Sequence, residues 1–377
     1  MNSEYEIIRD AVRRFAEAVI APASEALWEH QEFPLEIWKQ AAKLGFPALP
    51  YPVQYHGGGG DWVSFAIVLE ELARVDCAVA NAVMANSTVS SLLYYYGTEA
   101  QKQAYLVPML EGSRIGAIGL TEPDAGSDAA NVSTRADWDG SQWVINGAKT
   151  FISNTGTGIT SPVVIAAVTG KRANGRKEIS NFIVPGDAPG FHYGRKLQKI
   201  GWRASSTYEL SFQDCRLPAE NLLGERGAGL RQTLSQISTG RVLIGALALG
   251  LLQGSLDRSL AYMKERKAFG HPISEFQALQ FKVADMAVHT HAARLMIYDA
   301  AARKDRGEPF SREASMAKLF ATEKAMEATH QAIQIHGGYG IMSEYPVARA
   351  MGDAKVLEIV EGTSEIQRMI ISRELLA

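Results

Sequence analysis

The chain contains very little cysteine. Only Cys77 and Cys215 occur among its 377 residues, so one disulfide can form but a disulfide framework cannot. The first residues carry acidic side chains (Glu4, Glu6 and Asp10), and they contain no apolar stretch of the kind found in a signal peptide. These features favour a protein of the reducing cytoplasm.

Long hydrophobic runs and a strong charge of one sign are also missing. The longest apolar run, 242–252, lies between Arg241 and Gln253 and is too short to cross a bilayer, so it predicts a buried helix. The formal net charge is only -3 at pH 7, which gives no indication of a nucleic-acid surface or a polybasic membrane anchor. We therefore expect neither nucleic acid nor a membrane as a partner.

The common nucleotide and metal motifs are absent as well. The sequence has neither a P-loop nor a G-x-G-x-x-G turn, so a nucleotide-like cofactor must be held by another arrangement. The histidines and cysteines show no zinc-like spacing, and His289 and His291 would point to different sides of a helix. The sequence predicts no metal site.

The pattern of apolar residues divides the chain into three parts. Residues 1–115 have helical spacing, residues 116–222 alternate short β-type runs with turn dipeptides, and residues 223–377 contain long helical segments. Because helices and strands are segregated, a doubly wound parallel sheet is not expected. We predict an α+β multidomain fold with an N-terminal helical domain, a middle β-barrel-like or β-sandwich domain and a C-terminal four-helix bundle.

Two local predictions refine this picture. The dipeptides Asp139-Gly140 and Asn146-Gly147 tolerate positive φ angles and therefore predict hairpin turns between short strands. The spacing of apolar residues in the C-terminal part predicts four long helices, at about 228–267, 274–305, 311–336 and 343–375.

One glutamate near the C-terminus has largely apolar neighbours. Glu361 directly follows the largely apolar run 356–360 and precedes Gly362-Thr363-Ser364. Burial disfavours the charged form of a carboxylate and raises its pKa, which makes it a better base for a weakly acidic C–H group. The alternative is a glutamate that faces water at a helix end, and this stretch alone favours that alternative.

Two segments in the β part suit a flat, anionic ligand, although each also has an ordinary structural explanation. Residues 120–128 form a Thr/Gly/Ser loop whose amides and hydroxyls can donate to a ring edge or a pyrophosphate, or simply a capped turn. On the strand that follows, Phe151 can cover a flat ring while Ser153 bonds a ring nitrogen, or the segment is an ordinary hairpin.

Two further segments lie at predicted helix ends. Arg266 and Phe269 combine a cation with an aromatic ring, which suits a ligand that is both anionic and aromatic, but cations are favoured at helix C-termini in any case. Residues 334–340 end a helix in a glycine loop, where backbone N–H groups can reach a ligand or merely form a C-cap.

In this order the segments around Thr121, Phe151, Arg266, Gln334 and Glu361 are specific, and the chain resembles the acyl-CoA dehydrogenase family across almost its whole length. The resemblance implies the same three-domain fold, FAD as cofactor, and a homotetramer built as a dimer of dimers. Carried over by position, the flavin site within one subunit would comprise Thr121, Gly126, Ser127, Phe151, Ser153, Thr363 and Glu365. Residues reaching the FAD of a neighbouring subunit would be Arg266, Phe269, Gln334 and Gly338, and those near acyl-CoA would be Ser127, Ser238 and Arg241.

The resemblance also implies the reaction. Glu361 matches the catalytic base, which would remove the pro-R α proton of an acyl-CoA thioester while the β hydrogen leaves as hydride to flavin N5, giving the trans-2-enoyl-CoA. Hydrogen bonds from the Glu361 N–H and a flavin hydroxyl would stabilise the enolate, and the electrons would pass to an electron-transferring flavoprotein. A subset of the family carries the base just before the matched arginine, where this chain has Gly240, which cannot serve.

The acyl group and the reaction subclass remain open. Many members have tyrosine before the base, whereas this chain has Val360, which changes the pocket wall. The helix at 77–96, the expected pocket floor, contains no lysine or arginine and so argues against a dicarboxylic acyl group. Short, medium, branched and cyclic acyl groups all remain. The competing functions are an acyl-CoA oxidase, a flavin monooxygenase, which Glu361 argues against, and a non-catalytic scaffold.

Overall fold

The N-terminal part is helical in the computed structural model, which describes residues 3–376. Its helices are α1 (Ser3–Phe15), α2 (Ser24–His30), α3 (Leu35–Lys43), α4 (Trp62–Val75), α5 (Cys77–Tyr96), α6 (Glu99–Gln101) and α7 (Val107–Leu110). Aspartate caps fix the start of the two longest: Asp61 accepts from the Ser64 N–H at 2.7 Å, and Asp76 accepts from the Ala78 N–H at 2.9 Å. Nearly every residue of α4 and α5 is buried, so this helix pair forms the centre of the N-terminal core.

The middle part is a sheet with its own core. Its strands are β1 (Ile115–Gly119), β2 (Arg135–Trp138), β3 (Gln142–Ser153), β4 (Thr160–Lys171), β5 (Lys177–Val184), β6 (Phe191–Lys196), β7 (Thr207–Pro218) and β8 (Leu222–Leu223). The order is β6-β7-β3-β2-β4-β5-β8, and β1 pairs in parallel with β4. Inward-facing residues such as Trp143, Phe182 and Phe212 pack together between the strands.

One of the two predicted turns is a hairpin and the other is not. Asp139-Gly140 joins β2 to β3, and the Asp139 side chain accepts from the Gln142 N–H at 2.9 Å. Asn146-Gly147 instead lies inside the continuous strand β3, where the pairing with β7 shifts by one residue. Gly147 has a φ of +147°, and a Cβ there would come within 2.6 Å of Thr134 Oγ1. The dipeptide thus forms a β-bulge, which needs the same backbone freedom as a turn.

The C-terminal part is a helical bundle organised around one long helix. Beyond the short strands β9 (Lys267–Ala268) and β10 (His271–Pro272), its elements are α8 (Gly229–Glu265), α9 (Gln277–Asp305), α10 (Ser311–His336), α11 (Pro346–Ile359) and α12 (Ser364–Leu376). Helix α8 is long and apolar enough to cross a membrane by length and composition, but 83% of its most apolar window is buried inside the protein. It packs against α4, α5, α9, α10 and α11 and is therefore the core helix that the sequence predicted.

The order of helices, sheet and helical bundle confirms the predicted α+β multidomain fold. The prediction of one helix over 343–375 is wrong, because the chain leaves the helical conformation between α11 and α12. Gly362 has a φ of +93° in this break, and the Thr363 hydroxyl accepts from the Ile366 N–H at the start of α12. Glu361 lies within the break, which gives it a position that no residue of a continuous helix could have.

Candidate active site

Glu361 has a left-handed backbone conformation, with a φ of +54°. This region is unfavourable for a residue with a Cβ atom, so it persists only where surrounding contacts impose it. Two side chains supply such contacts. Lys318 Nζ donates to the Gly362 carbonyl at 2.8 Å and to the Glu358 carbonyl at 3.3 Å, and Gln367 Nε2 donates to the Gly362 carbonyl at 2.7 Å. The conformation of Glu361 is thus fixed from α10 and from α12.

The carboxyl group of Glu361 is enclosed. The residue as a whole retains some exposure, but its Oε2 atom is buried and has no hydrogen-bond partner. Burial raises the pKa of Glu361 to about 6, against the opposing influence of the positive charges on Arg241 and Lys318. A desolvated carboxylate with an unsatisfied oxygen is suited to accept a proton from a ligand.

Gly240 leaves the space that the Glu361 carboxyl occupies. A Cβ atom at position 240 would lie 2.8 Å from Glu361 Oε2 and 3.0 Å from its Cδ atom. The alternative base position of the family therefore adjoins the carboxyl of Glu361, and in this chain only one of the two positions carries an acid. A residue with a side chain at position 240 would therefore displace the Glu361 carboxyl from its present position.

A buried cation borders the same space. Arg241 is only 7% exposed, and burial lowers the pKa of its guanidinium while the charge of Glu361 acts against that shift. Its Nη1 atom donates to Ser238 Oγ at 3.3 Å, but its Nε atom is buried without a partner. Arg241 and Ser238, both predicted to lie near acyl-CoA, are thus in contact and offer an unused donor.

The predicted flavin loop follows β1. The Thr150 N–H donates to the Thr121 carbonyl at 3.0 Å and so ties this loop to β3. Gly126 and Ser127 are exposed, and a side chain at position 126 would meet nothing within 4 Å. The loop is therefore anchored at its base and open at its tip.

At the end of β3, Phe151 has a φ of +61° and is 67% exposed, whereas the neighbouring Ile152 is buried in the β core. Ser153 is partly exposed. Phe151 and Ser153 thus point away from the core that holds Ile152. At the break between α11 and α12, Thr363 directly precedes α12 and the exposed Glu365 lies in its first turn.

A buried ion pair that no sequence motif predicts lies beneath the flavin loop. Lys149 Nζ lies 2.7 Å from Glu122 Oε1, and both side chains are almost fully enclosed. Glu122 also accepts from the Ser133 N–H at 2.6 Å and from the Thr134 N–H at 3.0 Å. These donors lower the pKa of Glu122 to about 2 in spite of its burial, so its carboxylate is ionised and holds the loop.

The four residues predicted to reach a neighbouring FAD share one cleft. This cleft has a volume of about 640 Å³ and is lined by Arg266, Phe269, Gln334 and Gly338. Phe269 is 92% exposed, and the Arg266 guanidinium lies 5.7 Å from the centre of the Tyr339 ring. A side chain at Gly338 would meet nothing within 4 Å. The cleft combines a cation, exposed aromatic rings and open backbone.

The cleft at the end of α8 is distant from the buried Arg241 on the same helix. Arg241 lies in the first half of α8 and Arg266 directly follows its last residue. Twenty-five residues separate them in the sequence, which corresponds to about 38 Å along a helix. Arg241, beside the Glu361 carboxyl, and Arg266, in the cleft, therefore lie far apart within one subunit.

Lys318 and Gln367 also contact the break around Glu361, and no sequence motif predicts either role. Lys318 carries a charge but is fully buried, on the same face of α10 as the small apolar residues Ala314, Ala317 and Ala321. A lone cation on an apolar helix face is the only local signal, and it does not identify the carbonyl groups 40 and 44 residues away to which Lys318 donates.

Comparison with known proteins places the whole chain in one family. Family models described as acyl-CoA dehydrogenase N-terminal, middle and C-terminal domains match residues 2–113, 117–215 and 227–376. A probable acyl-CoA dehydrogenase (YngJ) of Bacillus subtilis is 47% identical over 377 residues, covering 100% of this chain and 99% of the relative.

Two solved structures are equally similar in fold. Butyryl-CoA dehydrogenase from Megasphaera elsdenii is 38% identical with a TM-score of 0.96, and the match covers 100% of this chain and 99% of the other. A chain from a structure described as the electron transferring flavoprotein of Acidaminococcus fermentans is 40% identical, also with a TM-score of 0.96, covering 100% of this chain and 98% of the other.

The chain belongs to the acyl-CoA dehydrogenase family. It is accordingly an oxidoreductase that dehydrogenates acyl-CoA thioesters, and the members of its family are FAD flavoproteins. These findings confirm the predicted family, enzyme class and cofactor.

Proposed function

We propose that Glu361 is the base that removes the α proton of the acyl-CoA thioester. The observation that carries this proposal is the enclosed Oε2 atom, which has no partner and occupies the space that the missing side chain of Gly240 leaves. Its raised pKa, about 6, supports the same role, because a base works best when its pKa lies near the working pH. The carboxyl needs no rearrangement of the backbone to receive a proton.

Other groups of the chain orient the substrate and stabilise developing charge. The last helical hydrogen bond of α11 runs from the Val360 N–H to the Val356 carbonyl, so the Glu361 N–H lies beyond the helix. We propose that it donates to the thioester carbonyl and thereby stabilises the enolate. Arg241 and Ser238 flank the acyl-CoA, where the unsatisfied Nε atom of Arg241 offers a further donor.

The residues around the two open sites fit FAD, which when bound supplies the acceptor for the β hydride. Exposed Phe151 and Phe269 offer faces for flat rings, and Gly126 and Gly338 leave room for close approach to the backbone. Within one subunit the proposed contacts are Thr121, Gly126, Ser127, Phe151, Ser153, Thr363 and Glu365. The partner copy would contribute Arg266, Phe269, Gln334 and Gly338.

A shared cofactor site requires an oligomer, and we propose a homotetramer built as a dimer of dimers. The separation of about 38 Å between Arg241 and Arg266 along α8 supports a second copy at each site. An apolar stripe on α9 supports further contacts: Phe281, Val288 and Leu295 recur every seven residues and are 60%, 64% and 60% exposed. Light scattering coupled to gel filtration should give four times the 41.0 kDa of one chain.

We propose a short-chain acyl-CoA as the substrate and an electron-transferring flavoprotein as the electron acceptor. The match to a butyryl-CoA dehydrogenase over 100% of this chain supports the first, and the match to a chain from an electron transferring flavoprotein structure supports the second. We also propose a cytoplasmic location, which the two free and buried cysteines are compatible with.

An anaerobic screen of acyl-CoA thioesters tests this function through loss of the yellow flavin absorbance. Butyryl-CoA should bleach the flavin faster than octanoyl- or palmitoyl-CoA. Glu361→Gln should retain FAD and bind the thioester but lose bleaching, since the amide cannot accept the proton. Bleaching at a near wild-type rate in Glu361→Gln would remove this residue from the mechanism. Rapid reoxidation of the reduced enzyme by oxygen would instead indicate an oxidase.

A further inference from the structure

We propose that Lys318 is a positioning residue for the catalytic base: its ammonium group fixes the left-handed backbone at Glu361 and keeps the nearby carboxyl ionised. The proposal rests on the role of Glu361 proposed above. It assigns a function to a buried cation that neither the packing of α10 nor the binding of substrate or cofactor explains.

The contacts of Lys318 are directed at the break between α11 and α12. Its side chain is fully buried, and its Nζ atom donates to the carbonyl groups of Glu358 and Gly362, at 3.3 and 2.8 Å. These carbonyls stand on either side of Glu361. The last carbonyls of a helix have no partner within the helix and carry partial negative charge, so an ammonium group is well suited to hold them. The two hydrogen bonds fix the chain before and after the base.

Burying an ammonium group is costly, and Lys318 has no compensating ion pair. Within residues 3–376, no carboxylate lies within salt-bridge distance of its Nζ atom. Glu358, which lies close by, is paired with Lys355 at 2.6 Å instead. A methionine would fill the same volume without this cost but would leave the Glu358 and Gly362 carbonyls without this donor, so the cost of burial is offset by these contacts and by the effect of the charge on its surroundings.

The charge of Lys318 acts on Glu361. The charged groups that face this part of the molecule are Arg241 from α8, Lys318 from α10, Glu358 from α11 and Glu365 from α12. Of these, the two cations oppose the rise in the pKa of Glu361 that burial causes. Burial lowers the pKa of Lys318 to about 8, with the charge of Glu361 acting against that shift, so the ammonium form still predominates at pH 7.

Gln367 provides a neutral counterpart for comparison. Its Nε2 atom donates to the same Gly362 carbonyl at 2.7 Å and to the Glu361 carbonyl at 3.3 Å, and its side chain is fully buried. Lys318 and Gln367 therefore share the task of holding the backbone, but only Lys318 adds a charge. Removing each in turn separates the geometric effect from the electrostatic one.

The experiment compares Lys318→Met and Gln367→Met in the FAD-loaded oligomer. The pH profile of kcat/KM reports the base in the free enzyme, and infrared difference spectra against Glu361→Gln report the same carboxyl without substrate. Loss of a nearby positive charge raises a carboxyl pKa by about one unit or more. Lys318→Met should therefore shift both titrations to higher pH and lower kcat/KM at pH 6 about fivefold for a shift of one unit, with recovery at alkaline pH. Gln367→Met should lower kcat/KM at every pH without shifting either titration.

Two outcomes would overturn the proposal: an unshifted carboxyl titration in Lys318→Met, or an equal shift in Gln367→Met. If Lys318→Met does not fold, Lys318→Gln keeps a donor, loses the charge and carries the same expectation. Lys318→Arg keeps the charge and should titrate like the wild type even if its rate is low. The infrared titration needs no turnover, so it tests Lys318 even if the proposed substrate or role of Glu361 is wrong.

Discussion

Replacing Gly240 with alanine tests whether the placement of the Glu361 carboxyl determines the rate of the reaction. The new Cβ atom would lie 2.8 Å from Oε2 and 3.0 Å from Cδ of Glu361. Gly240 stands in the interior of α8, where alanine adopts the backbone conformation readily. The atoms in the way belong to the end of a flexible side chain, so the helix should remain intact and the carboxyl should move.

The size of the effect follows from the distances. Ordinary contact begins at 3.4 Å, so the carboxyl oxygen must retreat by about 0.6 Å. A misplacement of about 1 Å can cost on the order of 10²-fold in rate, which gives about tenfold for this displacement. The same substitution removes a glycine from a helix interior and should raise the free energy of unfolding by about 0.5–1 kcal/mol. We therefore expect Gly240→Ala to be more stable and slower than the wild type.

The two effects are measured separately, by anaerobic single-turnover flavin reduction and by thermal unfolding. Gly245→Ala is the matched control, because it lies on the same helix and its Cβ atom would approach Ile297 Cγ1 at 3.1 Å rather than Glu361. The control should reduce flavin at the wild-type rate with the same FAD content. A folded Gly240→Ala enzyme that also reacts at the wild-type rate would refute the inference that carboxyl placement limits the reaction.

Three other substitutions test separate parts of the site. Glu361→Gln should be about 1–2 kcal/mol more stable than the wild type at pH 7, because the raised pKa of Glu361 makes its charged form costly in the folded protein. In denaturant titrations this advantage should grow between pH 4.5 and pH 6 and should vanish below pH 4.5. A difference that stays constant with pH would contradict the prediction. Glu122→Gln should lower the free energy of unfolding by about 3 kcal/mol, because it leaves Lys149 buried without its partner. The variant should also lose FAD during gel filtration. Unchanged FAD content would show that the loop does not depend on this ion pair. Arg266→Ala should weaken both FAD retention and the oligomer, because Arg266 lines the cleft. The control Lys267→Ala, which changes the exposed neighbouring residue, should affect neither. Full FAD content in Arg266→Ala would count against a site shared between subunits.

The sequence contained enough information for the order of the domains, because the periodicity of apolar residues is a local property. The sequence was less informative where the same residues are compatible with two different local backbone structures. Asn146-Gly147 needs a permissive backbone in either a hairpin turn or a bulge, and only the pairing of β3 with β7 decides between them. Similarly, the helical spacing continues across the break near Glu361, although Gly362 and Thr363 are the residues that end one helix and cap the next.

The sequence predicted that residues lie together where they form short motifs matching a known family, as around Arg266 and Gln334, which line one cleft. The site was not predictable where the contacts join distant segments. Nothing near Lys318 in the sequence points to the Gly362 carbonyl, and nothing near Glu122 points to Lys149. Such pairs arise from the packing of helices and strands, so they become visible only when the fold is known.

The break between α11 and α12 would allow Glu361 to act on a substrate in the two ways proposed above. In a continuous helix the N–H group of a glutamate is consumed by the carbonyl four residues earlier, and only its side chain is available. Here the helical bonding of α11 ends at Val360, so Glu361 offers both its N–H group and its carboxyl. A donor and a base on the same residue are suited to hold a thioester carbonyl and the adjacent α proton together. In the role proposed for Glu361, its strained backbone and the buried Lys318 that stabilises it serve the reaction as well as the fold.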